Sequence, residues 1–134
     1  MAYFAGETFD AVRIVALGPP ATKIQSRPSP DAFISTGQHW QFPVIARHQC
    51  TQEQAELVIA LWNQLPDSEQ MRCHVPGFAI EVLLGPEVVF TAALCWECHN
   101  VSIGGRLAND SWRTFSDPGG KLLGLCKEVT KSQP

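Results

Sequence analysis

Two short apolar runs, 77–84 (GFAIEVLL) and 88–96 (VVFTAALCW), flank the turn residues Gly85-Pro86-Glu87, and they constrain the fold more than anything else in the chain. Both are rich in Val, Ile, Leu and Phe and bounded by turn chemistry, so they predict a β-hairpin. Strand side chains alternate between faces, so a one-residue slip would exchange core and outer face. A two-residue Gly85-Pro86 turn would oppose Ile80 to Thr91 and Glu81 to Phe90, mixing polar and apolar side chains on both faces. A three-residue Gly85-Pro86-Glu87 loop instead opposes Leu84 to Val88, Val82 to Phe90, Ile80 to Ala92 and Phe78 to Leu94. Glu81 then meets Thr91 on the other face, and this is the expected register. Carried to the open end, it sets Cys73 near His99 and His74 near Cys98, with Cys95 two rungs away.

The rest of the chain is read around that hairpin. Val12, Ile14 and Ala16 alternate with Ala11, Arg13 and Val15, a strand pattern, and a second extended stretch runs from about Trp40 to His48. In it Phe42, Val44 and Ala46 are expected on one face, while Pro43 argues for an edge position or a bulge. Between them, residues 18–31 (GPPATKIQSRPSPD) hold four prolines and read as an exposed loop. Thr51 stands three residues before Gln54, a capping-box signature, and Ala55, Leu57, Val58, Leu61, Trp62 and Leu65 follow at helical spacing. This predicts an amphipathic helix over 52–65. Residues 100–116 carry turn residues and no clear period, which predicts a loop with one short strand at most. Asp117 can cap and Pro118 suits a first helical position, before Leu122, Leu125, Cys126 and Val129 recur at the spacing of a closing amphipathic helix.

The order β-β-α-β-β-α predicts an α+β fold, an antiparallel sheet of about four strands packed against two helices. With 134 residues the chain is expected to be a single domain over 1–134. Hydrophobic residues make up 45% of it, enough for a core of its own. A net charge of −3 and a pI near 5.7 remove the usual electrostatic case for nucleic acid or an anionic membrane. No run approaches the ~18 apolar residues of a membrane span, and the first residues lack a basic, then apolar, leader pattern. Five cysteines, an odd number and sparse for a disulfide scaffold, fit a reducing compartment, so a cytoplasmic protein is expected.

The segment Cys73-His74-Val75-Pro76-Gly77-Phe78-Ala79-Ile80, followed by Leu94-Cys95-Trp96-Glu97-Cys98, resembles a group of small uncharacterised bacterial proteins. In that group a C-x-x-P-x-aromatic strand precedes an aliphatic-C-aromatic-x-C strand, with a capped helix before the pair and another helix after it. The resemblance covers about the last two-thirds of the chain. It implies the hairpin and a bacterial source but brings no activity.

The cysteines and histidines gathered by the hairpin admit several chemistries. Cys73, Cys95 and Cys98, with His99 or alternatively His74 as the fourth ligand, could hold a structural zinc ion, since Cys-x-x-Cys presents two thiolates to one tetrahedral metal. Against this, adjacent Cys98 and His99 point apart on an extended chain unless the backbone turns there. The simpler alternative is packed thiols, because unbridged cysteine is among the most buried residue types; Cys50 and Cys126 belong to that class by position. Cys95-Trp96-Glu97-Cys98 also has the spacing of a dithiol redox pair but lacks the following helix that lowers a thiol pKa. Cys95-Trp96-Glu97-Cys98-His99 matches the letters of a c-type haem attachment motif without an export signal. A cysteine nucleophile with His74 or His99 as base and Asp110 or Asp117 as orienter can be drawn, but nothing in the spacing selects it.

The expected role is non-enzymatic: a binding or protein-interaction module, with a homodimer formed through an edge strand or an uncovered sheet face. The rival is a zinc-binding or thiol-dependent enzyme centred on Cys73, Cys95 and Cys98.

Overall fold

The computed structural model describes residues 9–18, 22–23, 32–35, 40–66, 77–106 and 111–131. Eight strands and two helices appear in the order β1 (Ala11–Leu17), β2 (Thr22–Lys23), β3 (Ala32–Ser35), β4 (Trp40–Gln49), α1 (Gln52–Gln64), β5 (Phe78–Leu84), β6 (Glu87–Cys95), β7 (Asn100–Gly104), β8 (Ser111–Thr114) and α2 (Lys121–Lys131). The α+β class, the antiparallel sheet and the two helices are as expected. The strand count is larger: six strands run β4-β1-β5-β6-β7-β8, and β2 and β3 pair with the first half of β4.

Two of the extra strands come from residues 100–116, where a loop was expected. Val101 and Ile103 are completely buried and alternate with Asn100, Ser102 and Gly104, so the segment does carry a period of two, masked by its polar partners. β7 pairs with β6 and with β8, extending the sheet by a meander. Most of the proline-rich stretch 18–31 lies outside the described residues; Thr22–Lys23 within it form the short β2.

The hairpin register holds through its body, with Phe78 opposite Leu94, Ile80 opposite Ala92, Glu81 opposite Thr91 and Val82 opposite Phe90. Its turn differs from the expected three-residue loop. Leu84 pairs with Glu87 and Leu83 with Val88, leaving a two-residue Gly85-Pro86 turn and a bulge at Val89. The extra residue of the bulge restores the face matching that a two-residue turn alone would have spoiled. Gly85 has φ 57°, and proline fixes a negative φ after it, the φ pattern of a type II′ turn that suits strand twist. A second glycine serves the bulge itself. A Cβ on Gly105 would lie 2.5 Å from the Val89 carbonyl oxygen and 2.8 Å from the Phe90 Cα, so β7 can end against the bulge only without a side chain there.

β4 also carries a bulge. Ala16 pairs with Ala46 and Leu17 with Val44, so Ile45 is the extra residue. This corrects the expectation that Phe42, Val44 and Ala46 share a face. Phe42 and Val44 pack with Val15, Leu17, Ala79 and Ala93 on the face away from the helices, whereas Ala46 follows Ala16 onto the helix face. One inserted residue inverts the alternation. The outer face of the sheet is consequently no bare apolar surface: Val15, Phe42, Ala79 and Ala93 are buried.

The helices cover the other face. Thr51 and Gln54 form the anticipated capping box, Thr51 Oγ1 accepting from Gln54 N at 3.2 Å and Gln54 Oε1 from Thr51 N at 2.9 Å. Ala55, Val58 and Trp62 of α1 meet Leu122, Leu125, Cys126 and Val129 of α2 in the main core with Ile14, Ile80, Phe90 and Ile103. Leu57, expected on the apolar face, is 48% exposed. Among the described residues no helix is long and apolar enough to cross a membrane.

Candidate functional site around the Cys-x-x-Cys turn

Cys95 ends β6 opposite Asn100, and residues 96–99 make the four-residue turn into β7. The chain does turn where the metal reading required it to. His99 takes φ 54°, a left-handed conformation that few residues besides glycine adopt readily, and its carbonyl accepts the Phe115 N–H at 2.9 Å. Cys95 and Cys98 are both completely buried, Glu97 is exposed and His99 half-buried.

Trp96 ties this turn to the start of α2. Its ring meets Phe78 and Phe115 edge-on, with centroids 6.1 Å and 5.7 Å away, and its Nε1 donates to Asp117 Oδ2 at 3.0 Å. Asp117 also accepts from the Leu122 and Leu123 N–H groups at 3.1 Å and 2.9 Å. It therefore caps α2, as expected, but across an intervening 3₁₀ turn, Pro118–Gly120, in which Gly119 and Gly120 both have positive φ. The carboxylate drawn above as an orienter for a cysteine nucleophile is thus engaged by an indole and a helix terminus. Asp110 lies outside the described residues.

The sulfur chemistry divides the five cysteines. Cys98 is disulfide-bonded, whereas Cys50, Cys95 and Cys126 carry thiols outside any disulfide. A bridged sulfur is no thiolate, so the zinc set of Cys73, Cys95, Cys98 and His99 applies only to a reduced chain. Cys73 and the alternative ligand His74 lie outside the described residues. Among the described residues no three His, Cys, Asp or Glu side chains are placed to hold a metal ion. Cys50 and Cys126, assigned above to packing, behave so: burial pushes the Cys50 thiol up to about 11, and burial raises that of Cys126 further, with the nearby Cys50 and Asp117 adding to it. Both are protonated, poorly nucleophilic thiols at neutral pH.

One polar constellation escaped the sequence. Glu81, 7% exposed, receives Arg13 on the outer face, Nε at 3.0 Å and Nη2 at 2.8 Å, with Arg47 Nε at 3.9 Å. The signal was present, one acid in the run 78–84 and one base in the run 11–17, but it becomes legible only once β1 is known to pair with β5. A shallow cleft of about 110 Å³ lies between the helices, lined by Leu61, Gln64, Leu65, Asp117, Pro118 and Lys121. It is well below the ~300 Å³ at which pockets for small metabolites begin.

These features define an antiparallel α+β protein whose Cys-x-x-Cys turn, with Cys95 a thiol and Cys98 in a disulfide, docks on a helix N-terminus. No protein-family model, curated protein or solved structure matches the chain.

Proposed function

We propose that the chain is a non-enzymatic interaction module that associates with a second copy of itself through the edge of β4. The observation that carries this reading is the state of Val44–Gln49. Among the described residues β1 is the one strand paired with this stretch, the described part of β3 reaching only as far as Pro43. An edge strand offers N–H and C=O groups to another chain, and an antiparallel pairing of one edge with itself is self-complementary about a two-fold axis. Ile45, lifted out of the pleat by the bulge, is 70% exposed on this edge. Burial of Val15, Phe42, Ala79 and Ala93 on the outer face favours the edge over the sheet face as the contact surface.

Light scattering over a range of concentrations tests the proposal. The expected result is a mass rising toward twice 14.7 kDa in the wild type, with Ile45→Lys remaining at the single-chain value. A wild type that stays monomeric at every concentration overturns it. The zinc reading has its own test. One equivalent of metal in protein purified under reducing conditions, absent from Cys95→Ser, would favour it over packed thiols.

A further inference from the structure

We infer that the two-fold axis of the β4-edge dimer passes beside His48, and that the two facing imidazoles form a site for one divalent transition-metal ion. The inference rests on the edge pairing proposed above and adds its register and a ligand. A two-fold axis that joins two sheets edge to edge stands perpendicular to them, so paired residues point to the same face. β4 alternates regularly only over 46–49, because Ile45 breaks the phase before it and Thr51 opens the capping box of α1 after it. Within that window Ala46 and His48 follow Ala16 and Ile14 to the helix face, and Arg47 follows Val15 to the outer face. An axis at Ala46 would run the pairing into the bulge, and one at Gln49 would run it into the helix. Arg47 and His48 remain as the residues that can sit on the axis.

Charge decides between them. Like charges directly opposite on paired strands are destabilising, and the run 44–49 (VIARHQ) holds no acid to separate them. With Arg47 on the axis, two permanently charged guanidinium groups would face each other on the outer face, where Arg13 and Arg47 already share Glu81. With His48 on the axis, Arg47 meets the neutral amide of Gln49 of the second copy instead. The Cys50 N–H donates to the Val12 carbonyl at 2.8 Å, and alternation then turns the main-chain groups of His48 to β1 as well. His48 therefore meets its counterpart as a non-hydrogen-bonded pair, the kind with Cα atoms about 4.5 Å apart and side chains closest. Two imidazoles so placed can close on one ion, water completing its coordination, and imidazole suits zinc and nickel. His48 is half-buried, so part of the residue is open to a second copy. Among the described residues a single chain gathers no three metal-ligating side chains, and the pairing supplies the second imidazole.

Two measurements at about pH 8, where an ordinary imidazole is largely neutral and able to ligate, test the inference. Oxidation with diamide reads the register. His48→Cys is expected to give a covalent dimer, since a Cα separation of about 4.5 Å suits a disulfide, and Arg47→Cys to give none beyond the wild-type background. Any other pattern overturns the inference. Light scattering reads the metal. Nickel chloride in place of a chelator is expected to tighten wild-type association about tenfold, within the usual span for coupled ligands, and to leave His48→Gln unmoved. A wild-type dimer indifferent to nickel, or a nickel effect that survives His48→Gln, overturns the metal site while the edge dimer stands. A wild type that is monomeric with and without nickel overturns both.

Discussion

At the scale of the residue, Gly105 shows how narrowly the sheet is specified. Its φ of 108° is strained for any L side chain, and the atoms a Cβ would strike are backbone, which cannot rotate away. Gly105→Ala is therefore expected to cost at least about 2 kcal/mol in urea unfolding, and Gly77→Ala, where a Cβ would meet nothing within 4 Å, much less. None of this could be read from sequence, because Gly105 owes its constraint to a bulge at Val89, sixteen positions earlier and on another strand. The pairing of Glu81 with Thr91 was legible for the opposite reason: both belong to one hairpin, and alternation within it admits few registers. The contact of Glu81 with Arg13 spans the chain and was not.

At the scale of the element, helices proved easier to read than strands. A 3.6-residue period repeated over α1 and α2 carries its own evidence, and Thr51 and Asp117 marked where each begins. The strands β7 and β8 were hidden because Asn100, Ser102 and Ser111 supply turn-forming letters at positions where the sheet tolerates polar groups. Asp117 joins these elements, since one carboxylate serves both the α2 terminus and the Trp96 indole of the β6–β7 turn. Its replacement in Asp117→Ala is expected to cost about 1–2 kcal/mol, the range of a lost cap, with more for the indole N–H left unpaired. Denaturant titration followed by tryptophan fluorescence would record both the lower midpoint and a native spectrum altered at Trp96. An unchanged midpoint would mean that water replaces the carboxylate at no cost.

At the scale of the whole molecule, the buried thiols make stability depend on alkalinity. Cys50 titrates near 11 in the folded protein against 9.0 for an ordinary cysteine. A group whose folded pKa is raised stabilises fully below its unfolded value and ceases to do so as pH climbs through the folded one. Stability is therefore expected to hold up to about pH 9 and to fall between there and pH 11, with Cys126, raised by the same burial, acting in the same direction. A series of melts across this range should show the decline, and Cys50→Ala should blunt it. A flat profile in the wild type would show that neither thiol is sequestered as described. The architecture as a whole was legible in class but not in extent. Two helices and a central hairpin follow from local patterns, whereas the six-strand path depends on β1 leaving its neighbour in sequence to lie between β4 and β5.

The bulge at Ile45 makes β4 a strand with two phases. Everything before it is timed to one side of the sheet and everything after it to the other, much as an inserted letter shifts a reading frame. Removing Ile45 alone would leave every other pairing in place: Val44 would still face Leu17 and Ala46 would still face Ala16 in a regular ladder, with Phe42 and Val44 kept on the side away from the helices. Removing Val44 as well would send Phe42 to the side where the helices lie and strip Val15 and Ala79 of its cover. Loss of one residue at this point should thus be tolerated and loss of two should not, a parity rule imposed by a single residue.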